Sequence, residues 1–419
     1  MKILLSWLFV VSFLFAGDAT IEVIKKVESL PSLAVEESST SRYDDTFKLK
    51  FFKSLVADLN VISIFNVDRH YRKSEYDAAD VVVENKDMKY VLRYEVFQDD
   101  NGYFNAKMKL LQDSVEVMNK FYKIRKPEFY MFISHAMAYD INEFMGEPSV
   151  AWMKRKVIFS RTVGAGKSEL VISDYTLTYQ HVVVSGGFNV FPKWANKAQT
   201  QFYYTSLDGA KPTLKKLDIT TGVTKSLLQS DGMLICSDVS NDSSKLLLTM
   251  APKGQPDIYL YDVNTKKYSR ITKYSGIDVS GQFMGNDNEN VVFISNRLGY
   301  PNLFTTKLGS DLVEQVIYYG KSNAACSAHK EYVVYKARET SNAFSSNTFN
   351  LHLISTKTDF IRRLTATGVN EFPRFSRDGD AILFIKNYKV QSAIGIIRLN
   401  HNKNYLFPLK YGKVQSMDW

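Results

Sequence analysis

The sequence predicts a mainly β protein, a six-bladed β-propeller over residues 149–419 preceded by a small α/β domain over residues 20–148. Three observations lead there. Short apolar runs recur after Pro148, at Val157-Ile158-Phe159, Phe202-Tyr203-Tyr204, Leu246-Leu247-Leu248, Val291-Val292-Phe293, Val333-Val334-Tyr335 and Ile382-Leu383-Phe384, with starts 45, 44, 45, 42 and 49 residues apart. A period near 45 with four strands per repeat belongs to a propeller blade. Each run is followed by a second strand, such as Ile258-Tyr259-Leu260-Tyr261, and a third, such as Ser269-Arg270-Ile271-Thr272. Finally, Val414 to Trp419 copies the strand that precedes each run but has no repeat after it, and the run at Val157 lacks such a partner. Pairing the two closes the ring and removes the edges an open array would expose.

The chain begins with the grammar of a secretory signal peptide over residues 1–19: Lys2, an apolar stretch from Ile3 to Phe15, then the small residues Ala16, Gly17 and Ala19. The apolar stretch is too short to span a bilayer, which takes about 20 residues. Asp18 stands where a bacterial lipoprotein carries cysteine, so an exported, unanchored protein is expected. Its formal net charge is +9, without a dense Lys/Arg block interleaved with aromatics, which argues against nucleic acid as a partner.

The α/β domain is read from alternating patterns. From Asp44 to Leu59 the residues Phe51, Leu55 and Leu59 recur at helical spacing, with acids in the first turn. Val91 to Phe97 and Tyr103 to Leu111 read as strands around the tight turn Asp100-Asn101-Gly102. Phe129 to Phe144 reads as a second helix with Phe132, Ala136 and Tyr139 on one face, stopped by Gly146-Glu147-Pro148.

Gly164-Ala165-Gly166-Lys167-Ser168 imitates the end of a phosphate-binding loop, but the first glycine of that motif falls on Arg161. The β-branched Glu169-Leu170-Val171-Ile172 follows instead of a helix, so the glycines predict a hairpin in the first blade. Six scattered histidines and two cysteines supply no metal constellation, and no cofactor is expected. His135 reads as a structural histidine at the domain junction. Cys236 and Cys326, two repeats apart, fall on innermost strands with one blade between them. That separation exceeds the roughly 7 Å between Cα atoms a disulfide tolerates, so two unpaired thiols near the channel are expected.

The phrase Glu371-Phe372-Pro373-Arg374-Phe375-Ser376-Arg377-Asp378-Gly379 before Ile382-Leu383-Phe384 resembles the repeat of TolB-type propellers. So does Pro256-Asp257-Ile258-Tyr259-Leu260-Tyr261-Asp262 leading to Arg270-Ile271-Thr272. The junction from His135 through Asp140-Ile141-Asn142-Glu143-Phe144-Met145-Gly146-Glu147-Pro148 resembles that family's entry into its first blade, with Met145 in place of the usual threonine. Val56-Ala57-Asp58-Leu59 and Phe65 fit its first helix. The resemblance implies a non-catalytic, monomeric periplasmic scaffold of the Tol-Pal system, associated peripherally with envelope complexes. Such a scaffold links a peptidoglycan-associated outer-membrane lipoprotein (Pal) to the inner-membrane protein TolA, serving outer-membrane integrity and constriction at cell division. It also implies the contacts. Met233, Leu234, Ile235, Cys236, Ser237, Val279, Ser280, Gly281, Asn323, Asn370 and Glu371 would form the Pal-facing channel mouth. Asp18, Ala19, Thr20, Ile21, Glu22 and Val23 would engage TolA as an extended segment. The competing expectation is a propeller enzyme, glycosidase- or hydrolase-like, acting on an envelope polymer through paired carboxylates in the channel.

Overall fold

The computed structural model describes residues 30–40, 43–318, 320, 322–339 and 348–419; the signal segment and Asp18 to Val23 lie outside them. The N-terminal domain runs β1 (Ser32–Glu37), α1 (Asp45–Ile62), β2 (Asn66–Val67), β3 (Arg72–Lys73), β4 (Tyr90–Gln98), β5 (Phe104–Gln112), β6 (Val115–Ile124) and α2 (Tyr130–Phe144). β4, β5 and β6 form an antiparallel meander, and β1 joins β4 in parallel. The Asp44 carboxylate accepts the Phe47 N–H at 2.7 Å, a standard N-cap that fixes the start of α1.

Two strands escape the sequence pattern for opposite reasons. β1, for which no sequence pattern gave an expectation, ends in Glu36 and Glu37, both buried. Glu36 faces the equally buried Arg93 at 2.9 Å and accepts the Val82 N–H and the Asn85 amide, so its burial is compensated in full. β6 is mostly exposed, and no apolar alternation marks it. The face assigned to α2 is also corrected. Phe132, Ala136 and Tyr139 lie on its half-buried flank, and the face turned inward carries Ser134, His135, Ala138, Ile141 and Asn142. Periodicity follows apolar residues, whereas this face is partly polar because it meets buried carboxylates.

After α2 the chain forms six four-stranded blades among the described residues. Each predicted apolar run is the second strand of its blade. The innermost strands are Lys413–Asp418 (blade 1), Asn189–Trp194 (2), Leu234–Val239 (3), Asp278–Met284 (4), Asn323–His329 (5) and Val369–Phe375 (6). Blade 1 is closed as expected: the C-terminal strand pairs antiparallel with Val157–Gly164, Lys413 opposite Thr162 and Asp418 opposite Ile158. The glycine loop is a hairpin, with Gly164 opposite Lys167. Ser168 is buried and its hydroxyl bonds the backbone of Asn189 in blade 2, so the phosphate-loop imitation is a blade-to-blade contact.

One hydrophobic cluster runs from Phe51, Leu55 and Met137 through Trp152 to Phe159, Leu383 and Trp419, so the two domains share a core. The last carbonyls of α1 have no partners inside the helix. Blade 6 supplies them: the Arg398 guanidinium donates to the Ile62 carbonyl at 2.7 Å and the Tyr405 hydroxyl to that of Asn60 at 2.7 Å.

Deleting residues 414–419 is expected to remove cooperative unfolding and leave an aggregating chain, read by thermal circular dichroism and light scattering. A truncated protein that melts at the full-length temperature would mean that closure contributes nothing to the fold.

Candidate binding channel

The channel is built from one repeated register. Asp418, Lys193, Asp238, Gln282, Ser327 and Arg374 lie opposite Ile158, Tyr203, Leu247, Val292, Val334 and Leu383, the middle residue of each apolar run. Each innermost strand carries a bulge just before this position. Bulges bend a strand and re-aim its side chains, here at the rim of the ring.

Around this waist the chemistry alternates. Blades 1, 3 and 5 present acceptors: Asp418 takes the Trp194 N–H at 2.9 Å, Asp238 the Phe283 N–H at 2.9 Å and Ser327 the Phe375 N–H at 3.1 Å. Every one of these bonds reaches the following blade. Blades 2, 4 and 6 present donors. Lys193 bridges Asp238 at 3.2 Å and Asp418 at 3.0 Å, the Gln282 amide donates to the Ser237 carbonyl at 2.7 Å, and Arg374 lies 3.9 Å from Asp418. Burial would lower the Lys193 pKa, but the Asp418 and Asp238 charges overrule it and raise it.

The waist separates two unlike mouths. One is an apolar cavity of about 260 Å³ lined by Phe191, Met233, Ile235, Val279, Phe372 and Met417, among others. Phe191, Ser280, Ala325 and Phe372 occupy equivalent bulge positions and hold φ of 54°, 58°, 46° and 50°. Such left-handed backbone in residues with a Cβ persists where packing over-determines it, and it turns these side chains into the mouth. The Phe191 and Phe372 rings stack across blade 1 with centroids 6.2 Å apart. The other mouth is polar, about 520 Å³, and includes Arg155, Lys197, Lys330 and Arg377.

Of the residues expected at the Pal-facing mouth, Met233, Ile235, Cys236, Ser237, Val279 and Ser280 line the apolar cavity. Leu234 turns into the core of blade 3. Gly281 is pressed against blade 3, where an added Cβ would stand 3.0 Å from Ile258. Asn323 and Asn370 are buried, bonding the Asn302 side chain and the Phe349 carbonyl respectively. Glu371 pairs with Lys336 at 2.9 Å and accepts the Asn387 amide. Phe191 and Phe372 were missed, although a signal existed: Phe191-Pro192-Lys193-Trp194 and Phe372-Pro373-Arg374-Phe375 are one repeated phrase.

Cys236 and Cys326 are free and buried, on innermost strands with blade 4 between them. Burial pushes both thiols up, Cys326 to about 12, which keeps them protonated and unreactive in the folded protein.

The remaining buried ionisable cluster joins the domains. His135 Nδ1 is 2.8 Å from Asp58 of α1, and Nε2 is 3.2 Å from Asp174 of blade 1. The Tyr175 and Ser134 hydroxyls also donate to Asp58. Burial lowers the imidazole pKa, but the two carboxylates overrule it and raise it to about 9. Sealed from solvent, the group has no route to a substrate and acts as an ionic rivet.

An α/β domain riveted to a closed six-bladed ring with a two-mouthed channel defines the class: a β-propeller with an appended N-terminal α/β domain. The family model of the TolB beta propeller domain matches residues 146–419. The whole chain is 45% identical to the Tol-Pal system protein TolB of Wolinella succinogenes, with all of both chains covered. It is 42% identical to that of Campylobacter jejuni (strain RM1221), again over all of both, and 39% identical to that of Helicobacter pylori (strain J99), over 99% of each. The crystal structure of TolB from Acinetobacter baumannii superposes with a TM-score of 0.74 over 93% of this chain and 97% of that one, at 19% identity, which shows a common fold. The chain belongs to the TolB family of Tol-Pal system proteins.

Two measurements probe these sites. The charged His135 contributes stability that is fully present below pH about 6.5 and fades as pH rises through about 9. His135→Leu should cost about 3–5 kcal/mol by leaving two buried carboxylates unpaired, and should abolish that alkaline decline in urea titrations from pH 6 to 10. Thiol labelling without reductant should modify neither cysteine in the native protein and both after denaturation. A crosslink that persists until reduction would contradict the blade register.

Proposed function

We propose that this protein is a non-catalytic periplasmic scaffold of the Tol-Pal system. In this reading it joins a Pal-like, peptidoglycan-associated outer-membrane lipoprotein to a TolA-like inner-membrane protein, in support of outer-membrane integrity and constriction at division. The observation that carries it is the apolar mouth, a concave, aromatic-floored cavity that suits an inserted apolar tip from a partner. Met233 is 45% exposed at its rim and leaves apolar surface for such a tip to cover. The lipoprotein is assigned to this mouth, and the segment Asp18 to Val23 to the TolA-like partner. The described residues contain no helix long and apolar enough to cross a membrane, which is compatible with a protein exported through a cleaved signal.

The enzyme alternative fares less well. Asp238 and Asp418 are the carboxylates that reach the waist, and their shared bond to Lys193 brings them to the spacing of a glycosidase pair. The Lys193 ammonium sits between the two carboxylates, however, and occupies the place a glycosidic bond would have to enter. The second oxygen of each carboxylate accepts a backbone N–H, that of Trp194 on Asp418 and that of Phe283 on Asp238.

The test is calorimetric titration of the mature protein with the soluble domain of its cognate lipoprotein. Met233→Asp with Ile235→Asp should weaken binding at least about 30-fold, the scale of a lost hot spot. Removing residues 18–25 should leave that affinity unchanged and abolish capture of the TolA-like domain. Lipoprotein binding within twofold of the parent in the double variant would remove the apolar mouth from the interface.

A further inference from the structure

The polar mouth has chemistry that the scaffold reading does not use. Its floor is the waist, where Asp238 and Asp418 are satisfied by Lys193, Arg374 and backbone N–H groups. Its wall carries four further cations from separate parts of the chain: Arg155 of the interdomain linker, Lys197 of blade 2, Lys330 of blade 5 and Arg377 of blade 6. Among the described residues none of the four makes an ion pair. Arg155 is the most constrained. It spends one Nη on the Lys197 carbonyl at 2.6 Å, and its buried Nε has no hydrogen-bond partner. The Nε of Arg374, on the floor, is also buried without a hydrogen bond. Burial lowers the Arg155 pKa from its ordinary value and the charge of Arg377 adds to this, against smaller opposing effects of Asp418 and Asp378.

Cationic side chains that make no ion pair of their own are available to an anionic ligand. The rest of the wall narrows the choice of anion. Blades 3 and 4 contribute Asn241, Asn286 and Asn288, where the Asn288 carbonyl oxygen accepts the Asn241 N–H at 2.7 Å. An amide has two donors and two acceptor sites, so each retains capacity for a ligand. One half of the mouth is therefore cationic and the other half amide. The cations come from four separate parts of the chain, an arrangement suited to carboxylates spaced along an extended ligand. The cavity of about 520 Å³ is within the range of binding pockets for ligands of several residues.

We propose that the polar mouth binds an acidic peptide segment of a partner protein, its carboxylates pairing with Arg155, Lys197, Lys330 and Arg377 and its backbone bonding to the amides of blades 3 and 4. The site lies on the other side of the waist from the apolar mouth. It stands independently of what the apolar mouth binds.

The experiment is fluorescence anisotropy on the mature full chain with a dye-labelled decapeptide of alternating Glu and Ser. Saturable binding is expected, falling with added salt as screened charges require. Arg377→Gln with Lys330→Gln, both exposed and outside the core, should weaken it at least about tenfold, in keeping with lost charged hydrogen bonds. Arg155→Gln should do the same, and Met233→Asp should change nothing, which separates this site from the apolar mouth. The proposal is overturned by any of three results: no saturation below about 1 mM peptide, equal binding of the Gln-for-Glu peptide, or affinity within twofold of the parent in the double variant. Displacement of the peptide by equimolar inorganic phosphate would also overturn it, in favour of a small-anion site.

Discussion

The waist of the channel is the constraint on which the propeller rests. Six blades bring six innermost strands together at one level, and each strand leaves backbone N–H groups facing the bore. Asp418, Asp238 and Ser327 accept those of the next blade at Trp194, Phe283 and Phe375. The intervening blades answer with Lys193, Gln282 and Arg374. Acceptor and donor thus alternate with the blades, and the ring satisfies its own polar groups without net charge. Such a network rigidifies when complete and is costly when broken, because the low local dielectric strengthens both outcomes.

Closure and domain attachment depend on the same few turns. Asp418 belongs to the waist and to the C-terminal strand that completes blade 1, so ring closure and channel chemistry form together. Trp419 continues into the shared core beside Trp152, and its indole N–H bonds the Phe375 carbonyl of blade 6 at 2.9 Å. From the other side, Asp58, His135 and Asp174 fasten α1, α2 and blade 1, while Arg398 and Tyr405 cap α1 from blade 6. The α/β domain is therefore anchored on both blades that flank the closure. A partner bound to that domain would pull on the seam of the ring.

The two mouths divide the labour of the channel. The apolar mouth gathers Phe191 and Phe372 through bulges whose left-handed residues point side chains into the bore, beside Met233 and Met417. The polar mouth gathers Lys197, Lys330 and Arg377 from loops that follow the innermost strands and Arg155 from the interdomain linker. Lys193, Gln282 and Arg374 line both mouths, so the waist is a floor that the two share. In the proposed scaffold role, each mouth offers a chemically distinct face to a partner.

The sequence by itself determined the blade count, the closure of the ring by Val414 to Trp419, the hairpin at Gly164-Ala165-Gly166 and the separation of Cys236 from Cys326. All follow from a repeat near 45 residues, since each blade buries its own apolar run locally. The Phe-Pro-basic-aromatic phrase at Phe191 and Phe372 was legible too. β1 was not legible, because Glu36 is made tolerable by Arg93, a residue 57 positions away. The inward face of α2 was hidden for the same reason: His135 is paired with Asp58 and Asp174, on other elements. The waist was hidden most deeply. Asp, Lys, Asp, Gln, Ser and Arg share no chemical type, so no repeat search aligns them by identity. Only closure of the ring places each beside the complement that makes its burial stable, because pairing of charges and donors is decided across blades while hydrophobic periodicity is written within them.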